Sequence, residues 1–136
     1  MPDSTAPGRA LPILYNNHMK IKKRIINKFT YAFKGLRIAI TTDNSFKIHF
    51  VFALPIVISG FILDFTQFDW IIISIAIGIV LISELFNTAI EYVVKMFTDE
   101  YHELAEKLLD IGAGAVLLAS LLAVVLAVLI YIPYFQ

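Results

Sequence analysis

Three side chains near the middle of the chain have types and a spacing that can do chemistry: Glu84, Asn87 and Glu91. Offsets of three and seven residues set them on one face of a helix, stacked over two turns. The two carboxylates then stand about 10 Å apart along the axis. They lie at the end of a long apolar run, Trp70 to Ile82. A carboxylate at the edge of hydrocarbon is expensive and faces a protein interior or a polar cavity. Two of them with an amide predict a polar site at a membrane margin. Carboxylate oxygens can hold a hard divalent cation, the amide can orient a neighbour, and the deeper carboxylate can take a proton. Asp43, predicted at the same boundary, would pair with Glu91. The plainer readings are that Glu84 is a polar contact between helices and Asp43 an N-cap.

Those residues need elements to position them, and the composition restricts which. At 136 residues the chain is one domain at most, with a hydrophobic fraction of 59% and a mean hydropathy of +0.79. A chain this short cannot hide so much apolar surface in a water-soluble core. With no cysteine, a disulfide framework, a thiol nucleophile and cysteine-ligated zinc are all excluded. Net charge is zero, but nine of the eleven Lys and Arg lie at or before Lys47; the other two are Lys95 and Lys107.

An all-α integral membrane protein is predicted. Residues 1–18 are polar, with Pro2, Pro7, Gly8 and Pro12, and read as a disordered tail. Residues 19–136 are read as the membrane domain. In residues 19–40, seven basic side chains interleave with Ile21, Ile25, Ile26, Phe29, Phe33, Leu36 and Ile40, the pattern of an amphipathic helix on an anionic membrane surface. The stretch 41–45 breaks that helix. Spans follow at about 46–63, 70–94 and 111–132, each long enough or nearly long enough to cross. The turn at 64–69 and the C-terminus lack Lys and Arg, whereas the N-terminal segment and the 95–110 connection carry them. The positive-inside rule therefore predicts a cytoplasmic N-terminus and a cytoplasmic 95–110 connection in the inner membrane, with Asp43, Glu91 and the acidic cluster on that side.

The stretch Glu84-x-x-Asn87-x-x-x-Glu91 resembles the signature of the prokaryotic diacylglycerol kinase and undecaprenol kinase family. Tyr31, Lys34 to Arg37, Asn44-x-Phe46-x-Ile48-His49, Glu100 to Leu104, and Asp110-x-Gly112-x-Gly114 also look like family motifs, and the resemblance covers roughly Arg24 to Ile132. It implies a homotrimeric lipid kinase that moves the γ-phosphate of ATP, with Mg2+, onto a membrane alcohol. By that similarity Glu84 is the base and Asn87 its helper. Asp43, where the family usually has Glu, and Glu91 hold magnesium. Arg24, Tyr31, Asp43, Glu91, Glu100, His102 and Asp110 bind ATP or shape its pocket, and Glu84, Asp110 and Ala113 contact the lipid. The absence of a Walker-type glycine loop excludes a P-loop kinase.

Two departures bear on activity. Lys95 stands where the family usually has Asp, and Leu109 where it usually has Lys. Either Lys95 or Lys107 is expected to take over the phosphate contact; the rival expectation is a catalytically weakened paralogue. A small non-enzymatic membrane protein, such as an exchanger with one intramembrane Glu, is the reading from a different class. For the substrate, Asn87 to Glu91 and Phe46 to His49 look closer to undecaprenol-type members, and Glu100 to Leu104 closer to diacylglycerol-type members. The balance leans to undecaprenol. Glu103 and Glu106 read as a solvated face, and His49 as an interfacial residue.

Overall fold

The computed structural model describes residues 7–97, 100 and 102–136, with side chains from Lys23 onward. Its regular elements are all helical: α1 Pro7–Thr42, α2 Asn44–Ile62, α3 Gln67–Phe97, α4 Glu103–Tyr131 and a closing 3-10 turn, Ile132–Phe135. Three of these helices, α2, α3 and the run from α4 through the 3-10 turn, are long and apolar enough to cross a membrane. Most of their apolar surface is not covered by the chain itself: Phe52, Phe61, Leu117 and Leu118 are all more than 60% exposed. In water such a surface would be untenable, while in hydrocarbon the helices already satisfy their own backbone groups.

The chain divides into two units, Met1–Ile38 and Ala39–Gln136. The first is α1 up to Ile38. Every residue from Lys23 to Ile38 is exposed, including Ile25, Ile26, Phe29, Tyr31 and Phe33. The predicted surface helix at 19–40 lies within α1. However, residues 7–18, expected as a disordered tail, are helical here, with Pro7 at the first position, where a missing N–H costs nothing.

In the second unit α1 ends and α2 begins across a single residue. Asp43 is extended (φ −99°, ψ 118°), and its Oδ1 accepts a 2.8 Å hydrogen bond from the Ser45 N–H. The turn between α2 and α3 uses Asp64 at φ 56°, a left-handed position that Asp tolerates. Thr66 then caps α3 reciprocally with Asp69: Asp69 N–H donates to Thr66 Oγ1 (3.3 Å), and Thr66 N–H donates to Asp69 Oδ2 (2.9 Å). Around this turn lies the apolar core, Phe65, Ile73 and Ile130, with Trp70, Tyr131 and Tyr134 packed on it. Gly60 is required there: a Cβ would come within 2.8 Å of Phe65 and 2.9 Å of Trp70.

Helix α3 is the organising element. Its buried positions are Ile73, Ala76, Val80, Glu84 and Thr88, one stripe at three- and four-residue steps. The stripe is apolar near the α2–α3 turn and polar at the other end, where the candidate site forms.

Candidate active site

Glu84 is only 2% exposed. A buried charge needs a partner, and the one in reach is His49 on α2, whose Nε2 lies 3.3 Å from Glu84 Oε1. One turn further along α3, Thr88 donates through Oγ1 to Asp43 Oδ2 at 2.6 Å. One turn beyond that, Tyr92 OH donates to Thr42 Oγ1 at 3.2 Å. Residues 84, 88 and 92 thus make a ladder of polar links from α3 to the segment leading into α2. Phe46, three residues after Asp43, is fully buried. Asp43 is therefore both the N-cap that the sequence alone favours and a member of the polar cluster.

The other flank of α3 faces α4. Asn87 donates through Nδ2 to Glu91 Oε1 at 3.2 Å, and Lys95 Nζ lies 3.2 Å from Glu91 Oε2. Gly112 on α4 lets the helices approach, since a Cβ there would lie 2.5 Å from Asn87 Oδ1. That Oδ1 is buried and has no hydrogen-bond partner among the described residues. Asn87, Glu91, Lys95, Leu109, Asp110 and Ala113 line a cleft of about 250 Å³. Sequence spacing sets Glu84, Asn87 and Glu91 on one face, and they are indeed neighbours. The two helices flanking α3 nevertheless divide them: Glu84 is engaged by α2, while Asn87 and Glu91 open toward α4.

A second, larger space meets this cluster. An apolar groove of about 1070 Å³ runs over α3 between α2 and α4. Phe52, Ile56, Val80, Val124 and Tyr131 are among its walls, and His49 stands on its lining. Glu84 therefore has the groove on the far side of its histidine partner.

The remaining predicted residues are distributed as follows. Asp110 and Ala113 line the cleft. Arg24 and Tyr31 are exposed on α1 in the first unit. Glu100 is exposed ahead of α4. His102 is the N-cap of α4, its Nδ1 accepting from Leu104 N–H at 3.2 Å, a use that the sequence reading did not assign. Glu103 pairs with Lys107 at 2.6 Å on an exposed face, so Lys107 is engaged away from the cleft lining. Asp99 and Tyr101 lie outside the described residues. His49 is the site residue that sequence reading missed. Its interfacial reading follows from local context, and its pairing with Glu84 joins two helices, which no local spacing reveals.

Comparison with known proteins gives this geometry a family. Residues 30–131 match the model of prokaryotic diacylglycerol kinase. The chain belongs to the prokaryotic diacylglycerol kinase family. Among its curated relatives, the undecaprenol kinase of Bacillus subtilis is 32% identical over 117 residues, covering 86% of this chain and 95% of that protein. The diacylglycerol kinase of Escherichia coli K12 is 36% identical over 102 residues, covering 75% and 84%. That of Synechocystis is 31% identical over 131 residues, covering 96% and 74%. Membership of the diacylglycerol kinase family makes the chain a membrane-embedded lipid kinase, and the non-enzymatic reading falls away.

Kinases of this kind imply a nucleotide and a metal, and the donor set can be tested against that. Among the described residues no three His, Cys, Asp or Glu side chains converge as a ready-made metal cage. Magnesium does not need one, because it keeps waters and shares phosphate oxygens with one or two carboxylates. The cleft lining offers two carboxylates of that kind, Glu91, 39% exposed, and Asp110, with Lys95 already against Glu91 Oε2.

Proposed function

We propose that this protein transfers the γ-phosphoryl group of ATP to the hydroxyl of a membrane lipid alcohol at the cytoplasmic face of the inner membrane, with undecaprenol favoured over diacylglycerol. The observation that carries the reading is the juxtaposition of two unlike spaces across α3. A polar cleft with carboxylates and a lysine lies on one flank of α3, and on the other a buried carboxylate is paired with a histidine that lines an apolar groove. Phosphoryl transfer asks a protein chiefly for positioning and charge stabilisation, and this arrangement offers both.

In this mechanism Glu84 accepts the proton of the lipid hydroxyl as its oxygen bonds to the γ-phosphorus, and the bond to the β–γ bridging oxygen breaks to release ADP. Asn87 orients Glu91 and the phosphate end of the nucleotide. Glu91 and Asp43 would hold Mg2+, which would neutralise phosphate charge there. Both carboxylates already accept hydrogen bonds, Asp43 from Ser45 and Thr88 and Glu91 from Asn87 and Lys95, which fix their orientation. Lys95, rather than Lys107, takes the phosphate contact, because it lines the cleft and Lys107 does not. Asp110 and Ala113 form the facing wall toward lipid and nucleotide. Glu100 and His102 belong to the nucleotide-binding set, and Arg24 and Tyr31 of the first unit are assigned to ATP by the family resemblance.

The basic N-terminal segment and the Lys-containing connection support a cytoplasmic N-terminus. A homotrimer is the proposed assembly, since the cleft is open and the spans leave most of their apolar surface uncovered by the chain. The long, almost wholly apolar groove and the Phe46 to His49 run support the polyprenol.

The deciding experiment incubates purified protein in lipid vesicles with ATP carrying labelled γ-phosphate and either undecaprenol or diacylglycerol. Label entering the extracted lipid only when Mg2+ is present is the expected result, with undecaprenol the better acceptor. No label in either lipid would sink the reading. Lys95→Ala should raise the KM for ATP about 10-fold, the loss of one charge-assisted contact, with Lys107→Ala near wild type. The tie between Lys95 and Glu91 also favours a slower enzyme than relatives with an acidic residue there, which the same assay reads as a low kcat.

A further inference from the structure

A carboxylate that is 2% exposed has few ways to hold one orientation. Among the described residues the Glu84 side chain makes no hydrogen bond to α3 or α4, and its partner at 3.3 Å is the imidazole of His49. The two side chains come from different helices and are 35 positions apart in the chain, so neither helix alone sets their approach. A carboxylate oxygen can only accept, so the imidazole nitrogen facing it must carry the hydrogen. His49 is itself 23% exposed and lines the apolar groove. It thus stands between the space suited to a lipid chain and the carboxylate that would meet the lipid hydroxyl.

From this geometry we propose that His49 is the positioning residue for Glu84. Its Nε2–H engages Glu84 Oε1 and leaves Oε2 to accept the proton of the lipid hydroxyl. The inference rests on the phosphoryl-transfer reading above and deepens it. In the step itself the alcohol oxygen forms its bond to the γ-phosphorus, its proton passes to Glu84 Oε2, and ADP departs with the electron pair of the broken bridging bond. His49 neither gains nor loses a proton; it fixes which oxygen is free and where it points. A base displaced by about 1 Å loses on the order of 100-fold in rate, so removal of this contact is expected to act on kcat.

The test compares His49→Leu, His49→Gln and His49→Asn in the full-length protein in vesicles, assayed as above. The amide nitrogen of Gln reaches the same place as imidazole Nε2, whereas that of Asn falls short. The expected order of kcat is wild type, then Gln within about 5-fold, then Asn and Leu lower by about 10- to 100-fold, with the KM for ATP unchanged throughout. In a Glu84→Gln background, His49→Leu should lower the residual rate no further, because the two act as a unit. Helicity and thermal unfolding of each variant in the same vesicles report folding separately. Leu matching wild type in kcat overturns the proposal while leaving the kinase reading intact. Equal loss in Gln and Leu also overturns it, since a packing role would not discriminate by donor. A wild-type protein that labels no lipid removes both readings together. Should Leu fail to fold, the Gln-to-Asn ratio decides alone: a ratio near one overturns the proposal.

Discussion

The two ends of the helical unit from Ala39 to Gln136 are built on opposite principles. At the end that carries the α2–α3 turn, polar groups are paired within the chain. Asp69 Oδ2 accepts from Thr66 N–H, Thr66 Oγ1 and Tyr134 OH, and Ser59 Oγ bonds Tyr131 OH. Phe65 sits edge-on to both Trp70 and Tyr131. At the end that carries Asp43 and Glu91, the Asn87 carbonyl oxygen lacks a partner, Asp110 is exposed, and Glu91 looks into an open cleft. Buried polar groups are normally satisfied, and among the described residues this end leaves the Asn87 oxygen unpaired. One end ties the helices together through paired polar groups, and the other carries the residues of the proposed site. Stability and activity should therefore separate when each end is altered.

The largest expected effect is at the open end. Glu84→Gln should lower lipid phosphorylation by about 100- to 10,000-fold, the usual contribution of a general base, while thermal unfolding is little changed. A parallel loss of stability would instead assign Glu84 to helix packing. Gly112→Ala comes next and should affect both properties. Its Cβ would press on Asn87 Oδ1, costing about 1–3 kcal/mol of stability and displacing Asn87 from Glu91. Unfolding and ATP-dependent turnover measured on one preparation check this. Gly60→Ala, at the closed end, meets the rings of Phe65 and Trp70 and should cost a similar 1–3 kcal/mol, roughly, with kcat of the folded protein unchanged. Reduced kcat at full folding would break the separation of the two ends. The smallest effect is expected from Tyr131→Phe, which removes the bond to Ser59. It should cost about 1 kcal/mol in unfolding experiments and leave lipid phosphorylation as it was.

How far these features could be read in advance depended on how local their cause is. Three apolar runs predict three helices because length and hydropathy are properties of consecutive residues. The three helices overlap the three apolar runs, and α4 begins at Glu103, since His102 caps it well before the apolar run starts. The Thr66-x-x-Asp69 capping box has an equally local cause, two side chains three residues apart. The pairing of Asp43 with Thr88 was not visible, nor was that of His49 with Glu84, because each joins residues on different helices. The same holds for the choice between Lys95 and Lys107: both are lysines near the site in sequence, and only the helix faces separate them.

The amino-acid order by itself determined that this chain forms apolar helices and that Glu84, Asn87 and Glu91 share a side of one of them, since helical periodicity follows from local backbone geometry. Tertiary structure alone decided how that side is divided, with α2 taking Glu84 and Thr88 and α4 taking Asn87. The reason is physical: which neighbour covers a given strip of helix depends on how close two backbones can come. Here Gly112 admits Asn87 on one flank, and the His49–Glu84 and Thr88–Asp43 links join the helices on the other.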